Sequence, residues 1–169
     1  MAAKNETPIK PFLISRTFNA PRDLVWKAFT EPERMKEWFG PKGAAVGTSK
    51  MDFRVGGTYH YSMKNAEGVD MWGKFEYQEI TPQERMVFIQ YFSDAQGGKT
   101  RHPMSPTWPL SMLSTFTFEE ENGKTKVTIE WSPIDPTDEE RKTFEEGRDG
   151  MNQGWSGTME RLEEYLAKF

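Results

Sequence analysis

The last third of the chain constrains its fold more than any other segment. Two aromatic strand-like segments, Met112–Phe118 and Val127–Trp131, are joined through Asn122-Gly123, and a long amphipathic segment then runs to the C-terminus. A sheet must cover its apolar face, and a terminal helix is the simplest cover. The apolar side chains are too many and too bulky for a flat two-layer sandwich. The pattern therefore predicts a curved sheet that grips a helix around a cavity.

Composition excludes several classes of function. The net charge is −4 without a basic block, which argues against nucleic-acid binding because phosphates require clustered Lys and Arg. The chain has no Cys, so disulfides and thiolate chemistry are excluded. Without a signal-peptide core or a long apolar run, we expect a cytoplasmic protein that does not insert into membranes. The length of 169 residues predicts a single domain over 9–169.

The first part of the chain is predicted to form one strand and two short helices. Residues 1–8 are polar and are expected to be flexible. Ile9–Phe18 alternates as a strand, and Pro21 fits the first turn of the helix that follows. Thr30-Glu31-Pro32-Glu33 has the spacing of a capping box, so a second short helix is expected to end near Trp38.

A run of strands separated by turn signals comes next and predicts an antiparallel meander. The predicted strands are Thr48–Val55, Thr58–Met63, Asp70–Ile80 and Arg85–Phe92. Residues 93–109 are too long for a hairpin turn, and loops of this length are usually functional or disordered. The sequence leaves open whether they form a variable surface loop or a lid over a pocket.

The final segment carries two stripes at helical spacing. The apolar stripe consists of Phe144, Met151, Trp155, Met159, Leu162, Leu166 and Phe169. The second stripe consists of Gly147, Gly150, Gly154 and Gly157. Because each Gly costs about 1 kcal/mol relative to Ala inside a helix, the glycines indicate an opening or a close backbone contact beside the helix. A helix that breaks near Gly147–Gly150 explains them equally well.

Catalytic and metal-binding patterns are not readable in this sequence. Two His and no Cys, without His-x-x-x-His or Glu-x-x-His spacing, predict neither a metal site nor a cofactor. No Gly-x-Ser-x-Gly elbow is present, and the Gly56-Gly57 and Gly97-Gly98 pairs are explained by turns. We therefore expect His60 and His102 to have structural or solvent-facing roles and expect no catalysis.

The candidate ligand site is a set of inward-facing apolar residues with a few polar ones among them, as ligand sites usually require. The predicted apolar wall is Phe53, Tyr61, Phe75, Phe88, Met112, Phe116, Met151, Trp155 and Met159. Gln90, Ser114 and Arg16 share parity with apolar neighbours and are possible polar contacts. For Arg16 the alternative is an ion pair with a carboxylate near the strand end, since a buried unpaired guanidinium is costly.

The order of several local motifs resembles a known family over residues 9–168. These motifs are Arg16–Pro21, Trp38–Pro41, Asp52–Gly57, Gly73–Ile80, Gly154-Trp155 and Leu162–Leu166. Together they resemble the activator of heat-shock protein 90 ATPase homologues, a family of the START-like (SRPBCC) superfamily of helix-grip proteins. The resemblance implies an α+β fold in which a curved antiparallel sheet wraps around a long C-terminal helix, with two short helices after the first strand. It supplies no catalytic residues.

Three functions follow from the residues and the resemblance. The leading one is binding of a small hydrophobic or aromatic molecule between the sheet and the C-terminal helix. The first alternative is an interaction module that modulates a heat-shock ATPase, with a chaperone as partner and a role in stress response. The second is a cyclase- or hydrolase-type enzyme that uses polar groups of the pocket. The sequence leaves the oligomeric state open.

Overall fold

Strands and helices follow one another in the predicted order. The computed structural model describes residues 8–169, so the expectation for the first seven residues lies outside the described part. The strands are β1 Phe12–Phe18, β2 Ala45–Met51, β3 Thr58–Lys64, β4 Asp70–Thr81, β5 Arg85–Ser93, β6 Met112–Glu121 and β7 Lys124–Pro133. The helices are α1 Arg22–Thr30, α2 Pro32–Met35, α3 Asp138–Glu146 and α4 Arg148–Leu166.

The strands of the described chain form one antiparallel sheet in the order β1-β7-β6-β5-β4-β3-β2. The meander from β2 to β7 is extended by the N-terminal strand, which pairs with β7 from Phe12 opposite Trp131 to Phe18 opposite Thr125. The curved sheet and the terminal helix confirm the predicted α+β helix-grip architecture. The turn at Asn122-Gly123 is confirmed as well, because both residues have the positive φ, 52° and 79°, that this short hairpin requires.

The two short helices close one end of the sheet with aromatic rings. Trp26 and Phe29 of α1 lie 5.1 and 5.2 Å from the ring of Phe118 on β6. Phe29 also contacts Trp38 at 4.7 Å, and the indole of Trp38 donates a hydrogen bond to the carbonyl of Ala28 at 3.0 Å. These buried rings fill the space between the sheet and α1.

The predicted boundaries near α1 and α2 are wrong in detail. Pro21 is the N-cap of α1 rather than part of its first turn. Thr30 does not form a capping box, because its hydroxyl donates to the Trp26 carbonyl within α1 and Glu31 is the N-cap of α2. The ring of Pro32 starts α2 because its fixed φ suits the first helical position. The α-helix ends at Met35, before the predicted Trp38.

The C-terminal helical segment breaks at Gly147, which has φ −88° and ψ 1°. A Cβ at this position would lie 3.0 Å from the ring of Trp108 and 3.2 Å from the Thr143 carbonyl, so only Gly fits without a shift. The predicted break is therefore found at Gly147, whereas Gly150, Gly154 and Gly157 lie within α4. Phe144 belongs to α3, and Phe169 lies beyond α4 with an exposed side chain. The buried part of the stripe is therefore divided between α3, which contributes Phe144, and α4.

Candidate functional site

Two adjacent cavities lie between the sheet and the first half of α4. The first, of about 370 Å³, is walled in part by His102, Ser105, Trp108 and Pro109 of the β5–β6 connection, and we call it the loop cavity. The second, of about 290 Å³, is walled in part by Met63, Asn65, Met71 and Trp72 of the β3–β4 hairpin, and we call it the hairpin cavity. Cavities of about 300 Å³ and above are in the size range of small-molecule sites.

The two cavities meet at a common set of side chains, which we call the shared wall. It consists of Tyr61, Gln90, Phe92, Trp131 and Met151, each of which lines both cavities. The shared wall combines residues from β3, β5, β7 and α4. The two cavities are therefore neighbours at one end of the gripped helix, with side chains of the shared wall between them.

Five of the predicted wall and contact residues line this space. Tyr61, Gln90 and Met151 lie in the shared wall, Met112 lines the loop cavity and Trp155 lines the hairpin cavity. The structure thus places these five together at the end of the sheet farther from α1.

Seven other predicted residues lie outside both cavity walls. Phe75 and Phe88 stack on each other at 4.1 Å, and Phe116 packs edge-on against Phe29. Phe53 lies beyond the end of β2, against Trp26 and Tyr77. Rings of α1 and of the segment after α2 pack against these residues and fill the space in front of them. Inward parity along the strands does not show this packing. The others outside the walls are Met159, Ser114 and Arg16.

Arg16 pairs with a carboxylate, as the structural alternative held. Its Nε lies 3.2 Å from an Oε2 of Glu163 on α4, and an Nη1 donates to the Ser156 carbonyl at 3.5 Å. The guanidinium therefore links β1 to the flank of α4. This pairing makes Arg16 a contact between the sheet and α4.

The glycine stripe opens the helix side of the cavities. Gly147 and Gly150 line the loop cavity, and Gly154 lines the hairpin cavity. A Cβ added at Gly150 or Gly154 would meet nothing within 4 Å, whereas one at Gly157 would contact Lys42 at 3.7 Å. The missing side chains at Gly150 and Gly154 therefore leave space that larger residues would fill.

A short polar chain crosses the shared wall. The hydroxyl of Ser114 donates to Oε1 of Gln90, and Nε2 of Gln90 donates to Oη of Tyr61, both at 3.4 Å. These bonds are longer than the usual 2.9–3.0 Å. Burial raises the pKa of Tyr61 well above its ordinary value, so its phenol stays protonated. Trp131 adds a buried Nε1 that has no hydrogen-bond partner among the described residues.

The β5–β6 connection is attached to α3 by side-chain contacts. Arg101 forms an ion pair with the buried carboxylate of Glu140, and Thr107 shares a 2.7 Å hydrogen bond with Thr143. Burial alone would raise the pKa of Glu140, but Arg101 and the backbone N–H of Thr137 outweigh it and lower that pKa. The connection is thus an ordered cover over the loop cavity.

The two histidines have different surroundings. His102 lies in the wall of the loop cavity, with its ring 4.4 Å from that of Phe92. Its Nδ1 accepts the backbone N–H of Met104 at 3.0 Å, and burial lowers its pKa. His60 stacks on Trp72 at 5.2 Å, with Nε2 3.2 Å from the Asp94 carbonyl oxygen. Hence His102 is the histidine that reaches the candidate site.

Sequence reasoning missed several wall residues. Phe92 and Trp131 share inward parity with Gln90 and Ile129, so alternation along β5 and β7 would have identified them. Alternation could not identify Trp72, because within β4 it has the parity opposite to the buried Phe75 and Tyr77. Trp108 gave no signal because it lies on a connection without regular structure. Among residues 8–169, no helix is long and apolar enough to cross a membrane.

The chain matches a known protein family and resembles several solved structures. The family model described as Activator of Hsp90 ATPase homolog 1-like protein matches residues 19–167. The crystal structure of a Nitrosomonas europaea protein is 26% identical, with a TM-score of 0.75 and 94% of each chain covered. The solution structure of a Staphylococcus epidermidis protein is 28% identical, with a TM-score of 0.71 and 96% of this chain and 93% of that one covered.

A more distant neighbour shows the same fold. The solution structure of an Arthrobacter aurescens protein has a TM-score of 0.76 at 22% identity, with 94% of this chain and 87% of that one covered. The comparison with curated proteins gives no match.

Proposed function

The chain belongs to the family of Activator of Hsp90 ATPase homolog 1-like proteins, and we propose that it binds a small hydrophobic molecule in the loop and hairpin cavities without transforming it. The observation that carries this proposal is the pair of cavities beside α4, lined mainly by aromatic and Met side chains. Large rings supply much apolar contact area to a ligand. The proposed apolar contacts are Tyr61, Met112, Met151 and Trp155, with Gln90 as polar contact.

The titratable groups of the walls favour binding over catalysis. In the described walls, His102 is the one group that titrates near neutral pH, and no carboxylate accompanies it. General acid–base catalysis usually needs a positioned partner with a matched pKa. The tyrosines of the walls are poor bases or acids at neutral pH, since burial raises the pKa of Tyr91 to about 12 and that of Tyr61 further. The proposal therefore assigns no catalytic residue.

The test fills one cavity and measures binding of the neutral fluorescent probe N-phenyl-1-naphthylamine. Gly154→Leu places a side chain in the open space of the hairpin cavity. Asn152→Leu adds the same side chain to α4 at an exposed position outside both walls and serves as control. We expect the first variant to bind the probe at least about tenfold more weakly, the loss of about 1.4 kcal/mol.

Equal affinity of the wild type and Gly154→Leu would contradict the proposed site. Mass spectrometry of the molecules that copurify with the native protein, compared with those that copurify with Gly154→Leu, identifies the natural ligand. A small apolar molecule retained by the wild type and by Asn152→Leu, but absent from Gly154→Leu, is the expected result.

A further inference from the structure

The arrangement of the cavities constrains the shape of a ligand that fills them. The loop cavity and the hairpin cavity share five wall residues, so a molecule that occupies both must pass Tyr61, Gln90 and Trp131 near its middle. On either side of these residues the walls are mainly apolar, with Trp108 and Met112 on one side and Met71 and Trp155 on the other. The space therefore suits a molecule with two apolar arms.

The shared wall offers hydrogen-bond donors that lack acceptors. The Tyr61 hydroxyl accepts from Gln90, and no described residue accepts its own proton. The Gln90 amide, which also lines both cavities, has a second N–H. A buried donor without an acceptor is costly. A ligand acceptor between the two arms would gain from these groups.

Charge is disfavoured in both cavities. Neither wall contains Asp, Glu, Lys or Arg among the described residues. The lowered pKa of His102 keeps the imidazole neutral at pH 7. An ionised ligand group would be taken out of water without a partner of opposite charge, which is strongly unfavourable.

We infer that the ligand is an uncharged molecule with two apolar arms and a hydrogen-bond acceptor, such as a carbonyl, between them. The inference rests on the proposed function and adds the chemical class of ligand. Tyr61 and Gln90 are the donors to the acceptor, and the loop and hairpin cavities each take one arm.

A matched set of small molecules tests this assignment. The two-armed ketone 1,3-diphenylpropan-2-one and the hydrocarbon 1,3-diphenylpropane have the same carbon skeleton and differ in the central carbonyl. The ratio of their dissociation constants is measured by quenching of Trp fluorescence, in the wild type and in the Tyr61→Phe variant. We expect the ketone to lose about tenfold relative to the hydrocarbon in the variant. The aqueous solvation of each probe cancels in this comparison of ratios.

Tyr77→Phe is the control, because it removes a phenol hydroxyl that has no partner among the described residues from a buried side chain outside both cavity walls. Its ketone-to-hydrocarbon ratio is expected to equal that of the wild type. Dibenzylammonium has the two-armed shape with a central charge, and 1-phenylpropan-2-one keeps the carbonyl with one arm. Both are expected to bind at least about tenfold more weakly than the two-armed ketone.

Each contrary result has its own meaning. An unchanged ratio in the Tyr61→Phe variant overturns the role of the central acceptor. Dibenzylammonium binding as tightly as the ketone overturns the exclusion of charge, and equal binding of the one-armed ketone overturns the two-armed shape. If no neutral probe binds the wild type, the proposed function itself fails.

Discussion

The ring of Tyr61 lies over the backbone of Gly73, its partner on the neighbouring strand β4. The two residues are directly opposite in the antiparallel register. A Cβ at Gly73 would lie 2.4 Å from Oη of Tyr61 and 2.5 Å from its Cζ, distances that real atoms do not adopt. Because Gly73 has no side chain, the phenol can rest against the sheet and form part of the shared wall. Gly73 therefore sets the width of the candidate site at this point.

Gly73→Ala tests this relationship. The added methyl group must displace the Tyr61 ring toward the cavities, and overpacking of this kind typically costs about 1–3 kcal/mol. We expect a lower free energy of unfolding in urea and weaker binding of N-phenyl-1-naphthylamine. Combining the change with Tyr61→Ala should remove most of the loss in stability caused by Gly73→Ala. A Gly73→Ala protein with unchanged stability and binding would show that the ring moves freely.

Substitution of two glycines of α4 by Ala is expected to raise the stability of the protein, in contrast to Gly73→Ala. At Gly150 and Gly154 a methyl group meets open space in a helical backbone, so Ala should stabilise the fold by about 0.5–1 kcal/mol at each position. Thermal and urea unfolding measure this gain. Gly56→Ala is the control, because Gly56 also has open space but a φ of 84°, where a side chain is strained. A loss of stability at Gly150 and Gly154 would mean that α4 does not present these positions to a cavity.

Sequence patterns identified the architecture because it depends on alternation, turns and one amphipathic terminal segment. They located the site less well. Alternation along the strands shows which face of the sheet a side chain occupies but not what covers that face. For this reason Phe75, Phe88 and Phe116 were predicted as wall residues together with Tyr61. The rings of Trp26 and Phe29 cover one end of the sheet, and this packing is a tertiary property.

The wall residues from irregular segments were beyond sequence reasoning for a related reason. Trp108 reaches the loop cavity only because Gly147 breaks the helix beside it and α3 holds the β5–β6 connection in place. The long connection was recognised as a possible lid, but no pattern in its sequence indicates its contact with α3. Contacts of this type depend on the relative position of two elements distant in the chain.

The ion pair between Arg101 and Glu140 is expected to hold the β5–β6 connection over the loop cavity. Glu140→Gln removes the charge and retains an acceptor for the Thr137 N–H of the capping box. We expect faster amide hydrogen exchange in residues 99–110 and a stability loss of about 1 kcal/mol, typical of a hydrogen bond to a charged group that is partly exposed.

Asp23→Asn provides the control for that change, because it removes the exposed ion pair with Lys27 on α1, away from the connection. It should leave exchange in residues 99–110 unchanged. Equal exchange in Glu140→Gln and the wild type would mean that Thr107 and Trp108 hold the connection without the ion pair.

Acidification should loosen the same connection through His102. Its pKa in the folded protein is below the ordinary value of 6.5, so the folded state binds this proton less readily than the unfolded state. The stability that neutral His102 contributes is therefore fully present above pH 6.5 and is lost as the pH falls through the lowered pKa. Protonation also places a hydrogen on Nδ1, which can then no longer accept the N–H of Met104. We expect amide exchange at residues 102–105, corrected for its intrinsic pH dependence, to rise between pH 7 and pH 5.

His102→Asn separates titration from structure in this prediction. The Asn side-chain oxygen can accept the N–H two residues later, as in an Asx turn, but it does not titrate in this range. The variant should therefore keep the turn, while its corrected exchange at residues 102–105 stays constant from pH 7 to pH 5. Protonation of Glu140 does not explain a change in this pH range, because its own pKa is lowered from 4.5. The stability that its carboxylate contributes is lost only under more acidic conditions. A pH response that persists in His102→Asn would assign the loosening to another group.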